Sequence, residues 1–474
     1  MESDGSTVSN HGSRDSGRGP SVGWVTVPDP SAAPSAAPSG ARIGPGFREA
    51  PLWHTGVALP DVIGVPTPVP GDADVLVVGG GYCGLMAAAE LARRGRSVVL
   101  VEADALGTGA STRNGGMVIP ELKHGPRRLA QRYGPLGGEL VEAVFDAFAL
   151  VERLVDEWSI DCDYERTGGL LLAHHAAQVP GLVEELRVWR DDLGEEARFL
   201  PRDELHTEIG TDEYHGGLLV ERTGGLQPAK YHAGLVRRAL EMGVDLHERT
   251  RATSIERRAG GGFRVATTRG SVDAGEVFVA TNAYADSLVP GLRERVVPIG
   301  SFIIATEPLD PDLARACIPN RRMVYDAKNF LFYWRLSPDG RMVFGGRTSL
   351  AATTVASARE VLYRELLRVH PQLTGVALEY AWGGNVAITM DRLPHCGRMA
   401  IPGGGSVAFA TGCNGTGVAL ASWLGFRAAA WLSGEEPPPA FAQLAFPKVP
   451  LHAWRDRYLP AVGWWFRARD RVGR

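Results

Sequence analysis

A glycine-rich turn between an apolar run and an alanine-rich run constrains the fold of this chain more than any other feature. The stretch VLVVGGGYCGLMAAAELARRG covers residues 75–95, and Gly79, Gly81 and Gly84 have the spacing G-x-G-x-x-G. This spacing is a weak signal by itself, so the neighbouring residues decide what it means. The alternative is a structural turn in a chain that contains 59 glycines.

The flanking residues predict a strand, a turn, a helix and a second strand. Val75–Val78 and Ser97–Val101 are short apolar runs typical of buried parallel strands, and Leu85–Arg94 contains no helix breaker. In such a unit the glycines allow a tight turn, close approach of a pyrophosphate and close helix packing, and the helix N-terminus attracts phosphate. Glu102 follows the second strand, 18 residues after Gly84, where a carboxylate accepts hydrogen bonds from ribose hydroxyls and repels a 2′-phosphate. We therefore predict a dinucleotide site that disfavours NADP.

A second glycine turn lies near the end of the chain, in SVAFATGCNGTGVAL at residues 406–420. The apolar run Val407–Ala410 precedes Gly412, Gly415 and Gly417, and a helix is expected to follow. The spacing differs from G-x-G-x-x-G, so we do not predict a second dinucleotide. Backbone N–H groups at such a turn can instead face the reduced flavin ring, which is negative near N1 and the C2 carbonyl. An ordinary strand-to-helix turn is the alternative.

The chain is expected to return to its first sheet more than once. Val277–Ala280 is another apolar run, which ends at Thr281, and Val407–Ala410 is a third return. With 474 residues and 44% hydrophobic content, the chain is long enough for two or three domains, one of them inserted between these returns.

Composition excludes several classes of protein. The net charge is −4 and the 46 arginines and four lysines are scattered, so no nucleic-acid partner is expected. The five cysteines form no C-x-x-C pair, which indicates no metal site and a reducing cytoplasm. The apolar run Gly417–Leu432 contains Arg427 and is too short to span a bilayer, so it predicts a buried helix.

Seven segments in this order carry a family resemblance. Over roughly residues 50–470 the chain resembles the D-amino-acid oxidase/glycine oxidase superfamily of FAD-dependent oxidoreductases, nearest its γ-glutamylputrescine oxidase-like branch. The segments are DVLVVGGGYCGLMAAAELARRGRSVVLVEA (74–103), GTGASTRNGGMV (107–118), GGLQPAKYHAGLVRRALEMGV (224–244), TRATSIERR (250–258), SFIIATEPL (301–309), FYWRLSPDGRMVFGGRTS (332–349) and AWGGNVAITMDRLPHCGRM (381–399).

The resemblance implies an α/β fold with two parts. A Rossmann-like FAD-binding domain is assembled from three chain segments, and an α+β substrate domain contributes an antiparallel sheet above the flavin. The expected boundaries are a disordered Ser/Gly/Pro/Ala-rich tail at 1–45, FAD-binding segments at 46–118, 217–288 and 391–436, substrate-domain segments at 119–216 and 289–390, and a C-terminal extension at 437–474.

The resemblance also implies the reaction. The C–N bond of a small amine or amino acid is oxidised by hydride transfer to the flavin, the imine hydrolyses, and O₂ or another acceptor takes the electrons. Relatives that attach FAD covalently use a cysteine or a histidine, but here Gly383–Val386 and Arg113–Asn114 occupy those two places. The FAD is therefore expected to be non-covalent.

The same resemblance implies which residues contact the cofactor and the substrate. Tyr333 and Arg335 share a face of the alternating run Phe330–Leu336 and are the candidate catalytic pair, with Arg335 expected to bind a substrate carboxylate. A surface arginine is the alternative for Arg335, and Asp391 and His395 are further pocket candidates. The expected cofactor-binding residues are Gly79, Gly81, Tyr82, Cys83, Gly84, Glu102, Ser111, Arg113, Asn114, Gly115, Gly116, Ala252, Thr281, Gly412, Gly415, Thr416 and Gly417.

Two other classes of function remain open at this point. An NAD(P)H-using flavoprotein, such as a monooxygenase or a reductase, needs a second G-x-G-x-x-G unit, and RAGGGFRV at 258–265 better predicts a β-hairpin. A non-catalytic flavin-binding protein is the other alternative, because no single residue here is indispensable for hydride transfer.

Overall fold

The computed structural model describes residues 40–60 and 67–473. The strands are β1 (Ile43–Arg48), β2 (Asp72–Val78), β3 (Val98–Val101), β4 (Met117–Val118), β5 (Gly169–Leu172), β6 (Ala197–Pro201), β7 (Gly216–Val220), β8 (Gly224–Gly225), β9 (Asp245–His247), β10 (Ala252–Arg257), β11 (Phe263–Thr267), β12 (Gly270–Val279), β13 (Val297–Pro308), β14 (Met323–Asp326), β15 (Phe332–Leu336), β16 (Arg341–Gly346), β17 (Leu378–Ile388), β18 (His395–Ala400) and β19 (Ser406–Thr411). The α-helices are α1 (Tyr82–Arg93), α2 (Pro126–Tyr133), α3 (Pro135–Glu157), α4 (Val179–Arg187), α5 (Pro228–Glu241), α6 (Pro290–Arg293), α7 (Pro311–Cys317), α8 (Val355–Val369), α9 (Gly417–Leu432) and α10 (Arg455–Arg471).

The first sheet is built on parallel strands from three separate parts of the chain. Strands β9, β3, β2, β12 and β19 lie side by side in parallel, while β10, β11 and β18 add antiparallel pairs. Alternate residues of β2 face opposite layers, so Val75 and Val77 pack beneath α1, α3, α5 and α9. Leu76 and Val78 pack on the other face, among residues of β10, β11 and β12. Burial on both faces explains the continuous apolar runs in the sequence.

The second sheet has the order β1-β17-β13-β16-β15-β14-β5-β7-β6 and is mostly antiparallel. One of its faces packs on α8 and forms a separate core that includes Trp334, Phe344 and Leu362. Its other face contributes Trp382 and Tyr380 to a smaller cluster with Trp53. Two sheets of this kind, with helices on the parallel one, confirm the predicted α/β class with an α+β second part.

The structure differs from the expected boundaries at several points. Residues 43–45, expected to end the tail, begin β1, whose pairing with β17 joins residues more than 300 positions apart and leaves no local signal. Residues 1–39 of that tail lie outside the described residues. Helix α3 lies in an expected substrate-domain segment but packs against α9, and β7 belongs to the second sheet rather than the first.

The apolar run near the C-terminus forms helix α9 with the predicted bounds, Gly417–Leu432. Arg427 on this helix forms an ion pair with Glu436. Among the described residues, no helix is both long and apolar enough to cross a bilayer.

Candidate active site

The first glycine turn needs glycine at two positions for steric reasons. Gly79 has a φ of +111°, and a Cβ there would lie 2.9 Å from the carbonyl oxygen of Ala280. A Cβ on Gly84 would lie 1.9 Å from the carbonyl oxygen of Gly79. Helix α1 begins at Tyr82, three residues earlier than predicted, because extended Gly81 forms its N-cap. The first helical turn of α1 therefore lies directly beside the glycine turn.

A cleft of about 710 Å³ runs from this turn toward the second glycine turn. Glu102 lies at its edge, where its carboxylate accepts hydrogen bonds from the backbone N–H groups of Gly80 (2.8 Å) and Asp104 (3.1 Å). Burial raises the pKa of Glu102, against the effect of these two hydrogen bonds. The orientation suits acceptance of a ribose hydroxyl.

His232 on α5 forms a hydrogen bond with the first glycine turn. The sequence did not indicate this residue. Its Nε2 lies 2.8 Å from the carbonyl oxygen of Gly80. Burial lowers the pKa of His232 to about 4, so the ring is neutral and donates this hydrogen bond. No motif surrounds His232 in the sequence, and an isolated histidine in a helix carries no such signal.

Two buried indoles fix the loop that carries Arg113 and Asn114. Trp53 Nε1 donates to the carbonyl oxygen of Asn114 at 2.8 Å, and Trp382 Nε1 donates to that of Arg113 at 2.9 Å. The Arg113 guanidinium donates to the carbonyl oxygen of Gly383 at 3.0 Å. The loop is therefore held against β17 without any ligand.

A second cavity of about 200 Å³ adjoins the cleft and lies under the second sheet. Asn385 lines both spaces, and its buried Oδ1 has no hydrogen-bond partner within the described part of the chain. Gly412 and Gly415 of the second turn have φ values of +80° and +98°. An orphaned side-chain amide and a glycine turn at the junction fit the polar edge of a flavin ring, and the cleft fits the rest of FAD.

Most of the predicted cofactor residues line these two spaces. Gly84, Gly116 and Gly412 do not, and they act through backbone packing. The residues that line the cleft or the cavity are Gly79, Gly81, Tyr82, Cys83, Glu102, Ser111, Arg113, Asn114, Gly115, Ala252, Thr281, Gly415, Thr416 and Gly417.

Asp391 and His395 lie outside both spaces. His395 Nε2 is 3.0 Å from Asp391 Oδ1, and its ring stacks on Phe446 with centroids 4.0 Å apart. Both residues therefore stabilise the loop before β18 rather than the pocket.

The structure brings Tyr333 to the cavity but not Arg335. A Cβ on Gly115 or on Gly345 would lie within 2.8 Å of the Tyr333 ring, so two glycines make room for it. The Tyr333 hydroxyl is 3.2 Å from that of Ser301. Burial raises the pKa of Tyr333.

The predicted pairing of Arg335 with a substrate carboxylate therefore needs correction. Its guanidinium donates to the carbonyl oxygen of Leu226 at 2.5 Å and lies 5.2 Å from the Trp53 ring centroid. Alternation along β15 places Arg335 on the same face as Tyr333, but about 7 Å further along the strand and past the end of the cavity.

Arg347, unlike Arg335, lines the cavity. It follows β16, and its Nη2 would lie 3.3 Å from a Cβ on Gly415. No described residue forms an ion pair or a hydrogen bond with its side chain. Burial and the nearby Arg392 lower the pKa of Arg347, which nevertheless stays cationic at neutral pH.

Lys123 is a second cation in the cavity that lacks an ion-pair partner among the described residues. The Lys123 side chain lines the cavity and is exposed to solvent, but the surrounding protein limits its hydration. This desolvation and the charge of Arg347 lower its pKa to about 8. Beside it, the Tyr325 hydroxyl donates to Glu121 Oε1 at 2.6 Å, and burial raises the pKa of Glu121.

Comparisons with known proteins agree with this geometry. A family model described as "DAO: FAD dependent oxidoreductase" matches residues 74–431. The gamma-glutamylputrescine oxidoreductase of Escherichia coli (strain K12) is 33% identical over 84% of this chain and 93% of its own length. A probable oxidoreductase OrdL of Rhizobium meliloti is 34% identical over 84% of this chain and 92% of its own. The crystal structure of glycine oxidase from Geobacillus kaustophilus has a TM-score of 0.67 at 22% identity, over 79% of this chain and all of that chain.

Proposed function

The chain belongs to the DAO family of FAD-dependent oxidoreductases and oxidises the C–N bond of an amine or an amino acid; we propose that its substrate is an amine with a carboxylate at its far end. The observation that carries this proposal is that two cations line the cavity, Arg347 and Lys123, and that neither forms an ion pair with a described residue. Arg347 is half-buried and Lys123 is exposed, but both line the cavity, and a substrate carboxylate that enters it supplies a counterion to both.

The residues beside these cations restrict the class of substrate further. Glu121 and Tyr325 add a hydrogen-bond acceptor and a hydroxyl next to Lys123, so this end of the cavity offers partners for an ammonium group as well as for a carboxylate. An α-amino carboxylate has the complementary pattern. A γ-glutamylated diamine carries that group at one end and a primary amine at the other, and one relative is named for such a substrate. We propose this substrate class.

The reacting amine binds near Tyr333, between the apolar side chains of Leu331 and Val386. When bound, FAD supplies the acceptor for the electron pair and hydrogen that leave the C–N unit. The chain itself orients the amine, excludes water and keeps the amine neutral. The charges of Arg347 and Lys123 favour that neutral form, because nearby cations lower the pKa of an ammonium group.

The remaining features of the reaction are also proposals. O₂ or another acceptor takes the electrons, and the reaction takes place in the cytoplasm. The five cysteines support the second point, since all are free and buried in the described structure.

Anaerobic mixing with a panel of amines tests the proposal. A γ-glutamylated diamine should bleach the flavin absorbance much faster than the free diamine, glycine or sarcosine. Equal rates for the free and the γ-glutamylated diamine would contradict a carboxylate site. Bleaching by NADH without any amine would instead support an NAD(P)H-using flavoprotein.

A further inference from the structure

Exposed tryptophans are concentrated in one short part of the molecule. Among the described residues, the large hydrophobic side chains classed as exposed are Met390 and five that lie between Leu451 and Val472. Trp464 is 71% exposed, and Trp454 and Trp465 are about half exposed. Clustered exposed tryptophans are unusual on a surface that faces only water, and they indicate an interaction site.

The exposed side chains follow one face of α10. Several of its exposed or partly exposed apolar residues recur at spacings of three and four, as expected for one face of a helix. We call this face, with the residue that precedes the helix, the tryptophan stripe: Trp454, Ala461, Trp464, Trp465, Ala468 and Val472.

The opposite face of α10 is fixed to the second sheet and its loops. Asp470 accepts hydrogen bonds from the backbone N–H groups of Asn329 (2.7 Å) and Phe330 (3.1 Å). A Cβ on Gly463 would lie 3.5 Å from Leu350, which shows close packing of the helix there. The tryptophan stripe is therefore held in a fixed outward orientation.

Arginines flank the stripe and set the sign of its charge. Residues 451–474 contain six arginines and two aspartates, a net charge of +4 in a chain whose total is −4. Helical spacing places Arg467 and Arg471 along one edge of the stripe and Arg469 along the other. Tryptophan with arginine on one helix face is the composition of helices that lie in a membrane interface.

We propose that α10 docks this protein on an anionic lipid surface, with the tryptophan stripe at the level of the lipid headgroups. Charge decides against a second copy of the chain as the occupant. A twofold contact through the same face would bring the arginines of one stripe against those of the other. Negatively charged lipid instead neutralises both edges while the indoles enter the interface.

Vesicle flotation of the full holoprotein tests this proposal. The protein should float with phosphatidylcholine vesicles that contain phosphatidylglycerol, float much less with phosphatidylcholine alone, and detach at high salt. The double variant Trp464→Ser, Trp465→Ser should reduce the bound fraction by about tenfold or more, and Arg469→Gln with Arg471→Gln should reduce it in a similar way. Arg249→Gln with Arg315→Gln, exposed arginines on other elements, is the matched control and should bind as the wild type does.

A second measurement needs no variant. Lipids brominated near the headgroup should quench part of the tryptophan fluorescence of the wild type. Absence of flotation and of quenching would overturn the proposal, as would equal binding by the tryptophan variant and the wild type. A dimer in light scattering that the tryptophan variant converts to a monomer, without vesicle binding, would assign the stripe to a second copy instead.

Discussion

Replacement of Arg347 by methionine gives the sharpest test of the proposed carboxylate site. Methionine keeps an unbranched side chain in the cavity and removes only the charge and the donors. Because no described residue pairs with Arg347, its full hydrogen-bonding capacity is available to a ligand. A hydrogen bond to a charged group contributes about 1.5–3 kcal/mol.

We therefore expect Arg347→Met to lower kcat/KM for a γ-glutamylated diamine about 30- to 150-fold. This corresponds to a loss of about 2–3 kcal/mol in transition-state stabilisation. For the free diamine the change should stay within about threefold. Steady-state rates and anaerobic flavin reduction with both substrates measure this difference.

Arg335→Met is the matched control for this experiment. Arg335 donates to the carbonyl oxygen of Leu226 and stacks on Trp53, so its loss should lower the free energy of unfolding by about 1–3 kcal/mol. Its effect on kcat/KM should be the same for both substrates. An equal loss on both substrates in Arg347→Met, or a selective loss in Arg335→Met, would refute the assignment.

Three further predictions follow from the site. Gly81→Ala should weaken FAD binding by about tenfold, because the pyrophosphate approaches the backbone closely at this glycine. The chain should still fold, because the new Cβ would meet only the Ser111 hydroxyl. Flavin titration of the apoprotein measures the affinity, and an unchanged affinity would contradict the prediction. Acid precipitation should release all yellow colour to the supernatant, because the FAD is expected to be non-covalent. Burial raises the pKa values of Cys396 and Cys413 to about 12, so both thiols stay protonated and do not attack the flavin. A flavin-sized mass increment on the chain would contradict this. The kcat/KM for the γ-glutamylated diamine, divided by that for the free diamine, should fall as the pH rises through about 8. The reason is that Lys123 binds a carboxylate only while it is protonated. Lys123→Met should remove this pH dependence.

Local patterns in the sequence predicted the elements of the cofactor site because they depend on near neighbours. The strand before Gly79 and the bounds of α9 follow from apolar runs and their interruptions. The need for glycine at position 84 follows from a contact with Gly79, five residues away. Strand β1 could not be predicted in the same way, because its partner β17 is remote and its own sequence is rich in glycine.

The substrate side of the site depends on contacts between distant segments. Alternation along β15 correctly predicted that Tyr333 and Arg335 lie on the same face of the strand. It could not predict that the cavity ends between them, so that only Tyr333 lines it. That point depends on Gly116 and Leu226, which come from other parts of the chain and enclose the Arg335 guanidinium. Lys123 lies in a segment without periodicity, so no pattern could link it to Arg347.

Arg347 has neither of the two kinds of partner that other poorly exposed cations of the described structure have, an acid or a backbone carbonyl oxygen. Arg322 binds Glu208 and Glu221, Lys328 binds Asp326, and Arg341 binds Asp339 and Glu379. Arg113 and Arg335 are buried without an acid, but both donate hydrogen bonds to backbone carbonyl oxygens, which Arg347 does not. The desolvation cost of the Arg347 charge is recovered only when an anion enters. This difference is the physical basis of the proposed preference for substrates with a carboxylate.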